Sequence, residues 1–269
     1  MQFSDPEFRT IAALLYEAVG LAYNDSKKAL VHARLYPRIL KLGLHGFADY
    51  IALLEDEAQA AEFQMAVDLL TTNETYFFRE PKHYELLEQE LAAYRSQTAV
   101  SIWSAASSFG DEAYSTAMLM SDLQAMGKIG PDWSILATDI SHRVLLSAKE
   151  AVYPEDRLRA VSPERLRRYC LRGEGPSQGQ VLLQDKLRSR VQFGRLNLCK
   201  PFDGLGPFDV IFLRNVLIYF DPPTKSAVVD RVLATLKPGG LFFLGTAEGR
   251  VPCQTPITTV IPGAFRKRA

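Results

Sequence analysis

Past Ala99, this 269-residue chain alternates short apolar runs with amphipathic stretches of helical period. VSIWSAA is followed by AYSTAMLMSDLQAM, and WSILATDI by SHRVLLSAKEAV. FDVIFLRN, a helical stretch around TKSAVVDRVLATL, the turn KPGG and the strand LFFLGTAE continue the series. Parallel strands need a long crossover, usually a helix, so this alternation predicts βαβ units and a parallel sheet, an α/β domain. ITTVIPGAFRKR reads as a final edge strand. Residues 167–193 interrupt the rhythm, with Gly173, Gly175 and Gly179 punctuating short strand-like runs, and predict a small antiparallel insert.

Before Ala99 the texture is helical. From Asp5 to about Leu70, apolar residues recur at three- and four-residue spacings, as in Val31, Leu35, Ile39 and Leu42. Pro37 falls inside the second of these helices and is expected to bend it or end it early, because proline removes an amide and crowds the preceding turn. The boundaries read as a helical domain over 1–70, a linker and first catalytic-domain helix over 71–98, and an α/β domain over 99–269 with its insert at about 161–195. No internal repeat or low-complexity segment interrupts them.

Composition narrows the function classes. Lys plus Arg and Asp plus Glu are both 31, so no whole-surface attraction to nucleic acid is expected. MQFSDPEF carries no apolar leader, and the most apolar run, VIFLRNVLIYF, is broken by Arg214 and Asn215, so a cytoplasmic protein without membrane insertion is expected. The three cysteines, Cys170, Cys199 and Cys253, have no CxxC spacing and the four histidines are scattered. Neither disulfide nor metal is expected.

In an open α/β sheet a ligand sits beyond the carboxyl ends of the strands. Four such ends carry polar groups. SSFGDE gives a tight turn at Gly110 with Asp111 and Glu112 opening a helix, where acids also suit the helix dipole. A single glycine without GxGxxG disfavours a dinucleotide pyrophosphate. ATDI ends in Asp139, which either accepts from ribose hydroxyls or caps the helix starting near Ser141. RLNL offers Asn197, whose amide suits an adenine edge, and FLRNVLIYFD offers Asn215 and Tyr219. Four polar strand ends together suit a nucleoside-like ligand.

TTNETYFFRE, residues 71–80, closely resembles a signature of the chemotaxis receptor methyltransferases, the CheR family, as do WSAASSFGDEAYS, ATDIS, NLCKPF, FDVIFLRNVLIYFD and LKPGGLFFLGTAE in the same order. The resemblance spans nearly the whole chain. It implies a Rossmann-like S-adenosylmethionine-dependent methyltransferase domain, an N-terminal helical domain and a small antiparallel β-subdomain. It implies that Asn73, Thr75 and Arg79 contact the cofactor, that Glu112 and Asp139 hold its amino-acid and ribose portions, and that Asn197, Leu198, Asn215 and Val216 line the adenosine and sulfonium region. Arg79 and Tyr219 are the implied catalytic pair flanking the transferable methyl. Where relatives commonly carry a small or hydroxyl residue before Gly-Glu-Glu-Pro, this chain has Phe109 before Gly110, Asp111, Glu112 and Ala113, so a narrowed or reshaped cofactor loop is expected.

The implied reaction esterifies glutamate side chains of bacterial chemoreceptors, leaving S-adenosylhomocysteine. A carboxylate with a pKa of about 4.3 is already ionised at neutral pH, so positioning rather than a strong base should carry catalysis. Lys27, Arg34, Arg38 and Lys41 recur at seven-, four- and three-residue intervals, one helical face if Pro37 permits. That face is either ordinarily solvated or, by the resemblance, docks on the receptor cytoplasmic domain. RGEGPSQGQVLL loosely resembles a region that grips a receptor C-terminal peptide in some relatives. Two other readings are a methyltransferase for another substrate and a non-catalytic S-adenosylmethionine-binding module.

Overall fold

The computed structural model describes residues 2–93 and 99–268. Four helices open the chain: α1 (Asp5–Val19), α2 (Lys28–Lys41), α3 (Phe47–Glu55) and α4 (Ala60–Leu70). α1 starts at a capping box in which Ser4 and Glu7 satisfy each other's backbone amides, and it stops at Gly20, whose φ of 74° suits a residue without Cβ. Phe8, Ile11, Leu15 and Val19 of α1 meet Val31, Leu35 and Ile39 of α2 in one core with Phe47, Tyr50 and Leu70. Pro37 does not end α2, which runs to Lys41. Leu35 and Ile39 straddle the proline and are fully buried, so packing of the apolar face outweighs a local penalty of about 3 kcal/mol. Leu42, expected with them in the core, is exposed beyond the helix end.

The second unit begins with α5 (Pro81–Ala93), β1 (Val100–Ser104), α6 (Asp111–Ala125), β2 (Trp133–Asp139) and α7 (His142–Glu150). It continues through β3 (Val152–Pro154), α8 (Pro163–Tyr169), β4 (Cys170–Arg172), β5 (Gln180–Leu183), α9 (Asp185–Arg188) and β6 (Val191–Arg195). β7 (Phe208–Leu213), α10 (Pro222–Ala234), β8 (Leu236–Leu244), β9 (Ile257–Ile261) and β10 (Ala264–Lys267) complete it. The large sheet has the order β6-β2-β1-β7-β8-β10-β9, with β6 through β8 parallel and β10 antiparallel to β8. Chain order reverses between β1 and β7, the switch point where a ligand crevice opens. Side chains of β7 alternate between faces: Val210 and Phe212 pack with α5 and α6, whereas Ile211 and Leu213 pack with α10.

Three local expectations change. ITTVIPGAFRKR is a hairpin of two strands, not one, because the turn at Pro262–Gly263 folds it back on itself. KPGG is not a turn before a strand but lies within β8, where Leu236 pairs with Phe208 and Leu241 with Val210, a bulge that absorbs the extra residues. The three-stranded antiparallel sheet, order β3-β5-β4, opens at Val152, ahead of the 161–195 stretch, and β6 pairs with β2 instead of joining it. No periodicity within 152–154 distinguishes so short a strand.

Candidate functional site

At the switch point, a cleft of about 990 Å³ including its open mouth lies between the helical domain and the carboxyl ends of the parallel strands. Its walls come from the end of α4 and the segment after it (Leu70–Tyr76), from the loops after β1, β2, β6 and β7, and from Val19 and Leu21 at the end of α1 and just beyond it. The structure brings Asn73, Thr75, Arg79, Glu112, Asp139, Asn197, Leu198, Asn215, Val216 and Tyr219 together around this one cleft. Three lining carboxylates, Glu74, Glu112 and Asp139, face two lining guanidiniums, Arg79 and Arg214, so the walls carry one negative charge in excess.

Glu112 sits in the first turn of α6. Its Oε1 accepts from Ser104 Oγ at 2.6 Å and its Oε2 from Arg214 Nη1 at 3.1 Å. Burial pushes its carboxyl above the usual range, and the Arg214 guanidinium acts in the other direction. Arg214 is the residue that sequence reasoning used only as a break in an apolar run. It is itself buried, ion-pairs with Glu80 at 3.3 Å as well as with Glu112, and donates to the Arg79 carbonyl. A charged residue ending an otherwise apolar central strand was the available signal, since a buried charge requires partners.

Asp139 ends β2. Its Oδ1 accepts from the Ser141 amide at 2.9 Å and its Oδ2 from the Ser108 amide at 2.8 Å. Burial raises this carboxyl also. It therefore fastens the chain leading into α7 to the loop after β1 while still lining the cleft. Ser108, held at a φ of 50°, donates through its hydroxyl to the Asn73 carbonyl at 3.0 Å and so ties that loop to the segment after α4.

Phe109 does not line the cleft. Its ring packs against the core of the α/β unit, with the Arg157 and Arg143 guanidiniums 4.6 Å and 5.5 Å from its centroid. The expected narrowing is absent because the left-handed Ser108 turns the next side chain toward the small sheet, where Tyr153 also donates to the Phe109 carbonyl at 2.7 Å. Asp111 beside it is held by both sides of the Arg157 fork.

The Asn197 amide is already engaged: its nitrogen donates to the Ala18 carbonyl at 2.8 Å and its oxygen accepts from the Cys199 amide at 2.9 Å. It lines the cleft and at the same time clamps α1, with one amide N–H and one oxygen lone pair still free. Asn215 adopts a φ of 60°, and Glu248, a residue not singled out from sequence, accepts from the amides of Asn215, Leu217 and Gly245 at 2.7–2.8 Å. Tyr219 closes the 3₁₀ turn Leu217–Tyr219, its carbonyl accepting from Ala22 of the helical domain at 2.9 Å. Arg79 donates to the Glu74 carbonyl at 3.0 Å and lies 5.8 Å from the Tyr76 ring centroid.

The four cations of the second helix divide. Lys27 and Lys41 are exposed, Lys27 in a short 3₁₀ turn ahead of α2. Arg38 is forked onto Glu62, and Arg34 donates to the carbonyls of Leu70 and Thr71 and to the Thr72 hydroxyl. Helical spacing could not distinguish a solvated cation from one turned onto α4.

Among the described residues, no group of three or more His, Cys, Asp or Glu side chains could hold a metal, and no helix is long and apolar enough to cross a membrane. The three cysteines are free.

Residues 6–71 match the family model for the CheR methyltransferase all-alpha domain, and residues 73–260 that for the CheR methyltransferase SAM binding domain. A chemotaxis protein methyltransferase of Klebsiella aerogenes is 42% identical over 250 residues, 92% of this chain and 84% of that protein. One of Salmonella typhimurium is 40% identical over 92% of this chain and 85% of its own length. Chemotaxis protein methyltransferase 2 of Pseudomonas aeruginosa is 39% identical over 96% of this chain and 91% of its own.

Proposed function

The chain belongs to the CheR methyltransferase family, and from that membership we propose that it is a protein-glutamate O-methyltransferase acting on the cytoplasmic domains of bacterial chemoreceptors. The observation that carries the reading is the cleft at the switch point, whose largely enclosed carboxylates, Glu112 and the buried Asp139, and excess negative charge suit S-adenosylmethionine, a nucleoside bearing a net positive charge. When bound, that cofactor supplies a methyl group on a cationic sulfur. Glu112 would hold the amino-acid portion and Asp139 the ribose, with Asn73, Thr75, Leu198, Asn215 and Val216 lining the remainder. Asn197, also clamped to α1, would face the adenosine with its remaining amide hydrogen and oxygen lone pair.

Arg79 and Tyr219 are the groups for the acceptor. A glutamate carboxylate needs no proton removed at neutral pH, so the chain's work is alignment and exclusion of water. Arg79, anchored by the Glu74 carbonyl, would orient the incoming carboxylate, and Tyr219 would shape the space where oxygen approaches the methyl carbon. Receptor docking would rest on the exposed Lys27 and Lys41, with Arg34 and Arg38 turned inward. The β4 edge of the small sheet, where Leu171 is 53% exposed, offers a place for a receptor C-terminal peptide to add a strand.

Purified protein, methyl-labelled S-adenosylmethionine and receptor cytoplasmic domains provide the test. Base-labile label that disappears when the acceptor glutamates become alanine is the expected result. Cofactor binding without label on any receptor domain would overturn it.

A further inference from the structure

The wall of the cleft formed by residues 70–76 hangs between the two domains, and on the helical side it is held by the Arg34 guanidinium and the Tyr23 hydroxyl. Arg34 Nη1 donates to the Leu70 carbonyl at 2.9 Å and the Thr71 carbonyl at 3.0 Å, while Nη2 donates to Thr72 Oγ1 at 3.1 Å. The Tyr23 hydroxyl donates to the same Leu70 carbonyl at 2.6 Å. These are the carbonyls left without helical partners where α4 ends, and Leu70, Thr71 and Thr72 all line the cleft. On the opposite side Ser108 holds the Asn73 carbonyl. Tyr219 borders the same stretch: burial raises its phenol, and the Thr72 hydroxyl and then the Arg34 guanidinium act against that rise.

We infer that Arg34, which stands behind the cleft wall and on the helix read from sequence as a docking face, is a positioning residue for methyl transfer. Its planar fork fixes the backbone at 70–71 and the Thr72 hydroxyl, and thereby sets where Asn73, Thr75 and Tyr219 stand relative to each other. Lysine, with one compact ammonium group, cannot satisfy three acceptors spread across two residues of backbone and a side chain. The inference rests on the assignment of Tyr219 to the methyl site.

The test compares Arg34→Lys, Thr72→Val and Thr72→Ser with the unmodified protein. It uses S-adenosylhomocysteine affinity by calorimetry, kcat and receptor KM by label transfer, receptor binding with the product saturating, and a thermal melt of each variant. Arg34→Lys should weaken product affinity and lower kcat by about tenfold each, the scale of a lost charge-assisted hydrogen bond, with receptor binding unchanged. Thr72→Val should lower kcat while product affinity stays within about twofold, and Thr72→Ser should restore it. A raised receptor KM with kcat and product affinity unchanged in Arg34→Lys would overturn the inference and return Arg34 to the docking face. Unmodified protein that binds product but methylates no receptor would instead defeat the proposed function, and the affinity arm would still test the hold of Arg34 on the cleft wall.

Discussion

The Asp68 carboxylate, in the last turn of α4, accepts from the backbone amides of His142 at 2.9 Å and Arg143 at 3.2 Å, so a residue of the helical domain caps the first turn of a helix in the α/β domain. The cap lies three residues beyond Asp139, on the stretch that Asp139 itself fastens through Ser141. Two carboxylates from different domains thus hold one short piece of cleft wall.

Removing the cap in Asp68→Ala should cost about 1–2 kcal/mol, within the range for helix N-caps, and lower the melting temperature by roughly 2–8 °C. S-adenosylhomocysteine affinity should fall with it, because Asp139 loses a fixed neighbour. Unchanged affinity alongside a lowered melting point would mean that the cap serves stability alone.

The pH response of cofactor binding follows from the raised Glu112 and Asp139 carboxyls, whose usual values are 4.5 and 3.8. Their ionised forms attract a cation, so acidification should weaken S-adenosylmethionine binding at a higher pH than ordinary carboxylates would. The loss should be smaller for S-adenosylhomocysteine, which lacks the sulfonium charge. Stability moves the opposite way: between the usual and the raised values the folded state binds more protons than the unfolded one, so the contribution of these groups falls as pH rises through that window. Calorimetric titrations from about pH 7 to about pH 5 check this, with Glu112→Gln expected to flatten part of the acid limb. Identical pH profiles for the two ligands would contradict the charge argument.

Phe109→Ser places a small hydroxyl residue in the loop before Gly110. Because the ring packs on the core and under Arg157 rather than in the cleft, S-adenosylhomocysteine affinity should stay within about threefold while stability falls by about 2–4 kcal/mol, the scale for truncating a partly buried aromatic. Isothermal titration and urea unfolding separate the two effects. A large gain in affinity would show that Phe109 does restrict the cofactor loop.

Most of the architecture was legible in residue order. Periods of 3.6 and of strand type record which side chains meet the core, so the helical domain, the βαβ series and the polar strand ends at Glu112, Asp139, Asn197 and Asn215 could be read from sequence. Those four ends converge because parallel strands place their carboxyl ends on one side of the sheet. The sequence also carried the family resemblance, which pointed to Asn73, Thr75 and Arg79, all at the cleft, in a stretch with no periodicity of its own.

What only the tertiary structure decided is how polar side chains are used. Arg34 and Lys41 share a helical spacing, yet one reaches across to backbone carbonyls at the end of α4 and the other stays in water. Asn197 reaches Ala18, Asp68 caps a helix 74 residues away, and Arg214 joins two carboxylates from separate segments. Apolar burial is set by a local repeat along one element. A hydrogen bond depends on which partner arrives within about 3 Å at the right angle, and that partner is brought there by the folding of distant parts of the chain.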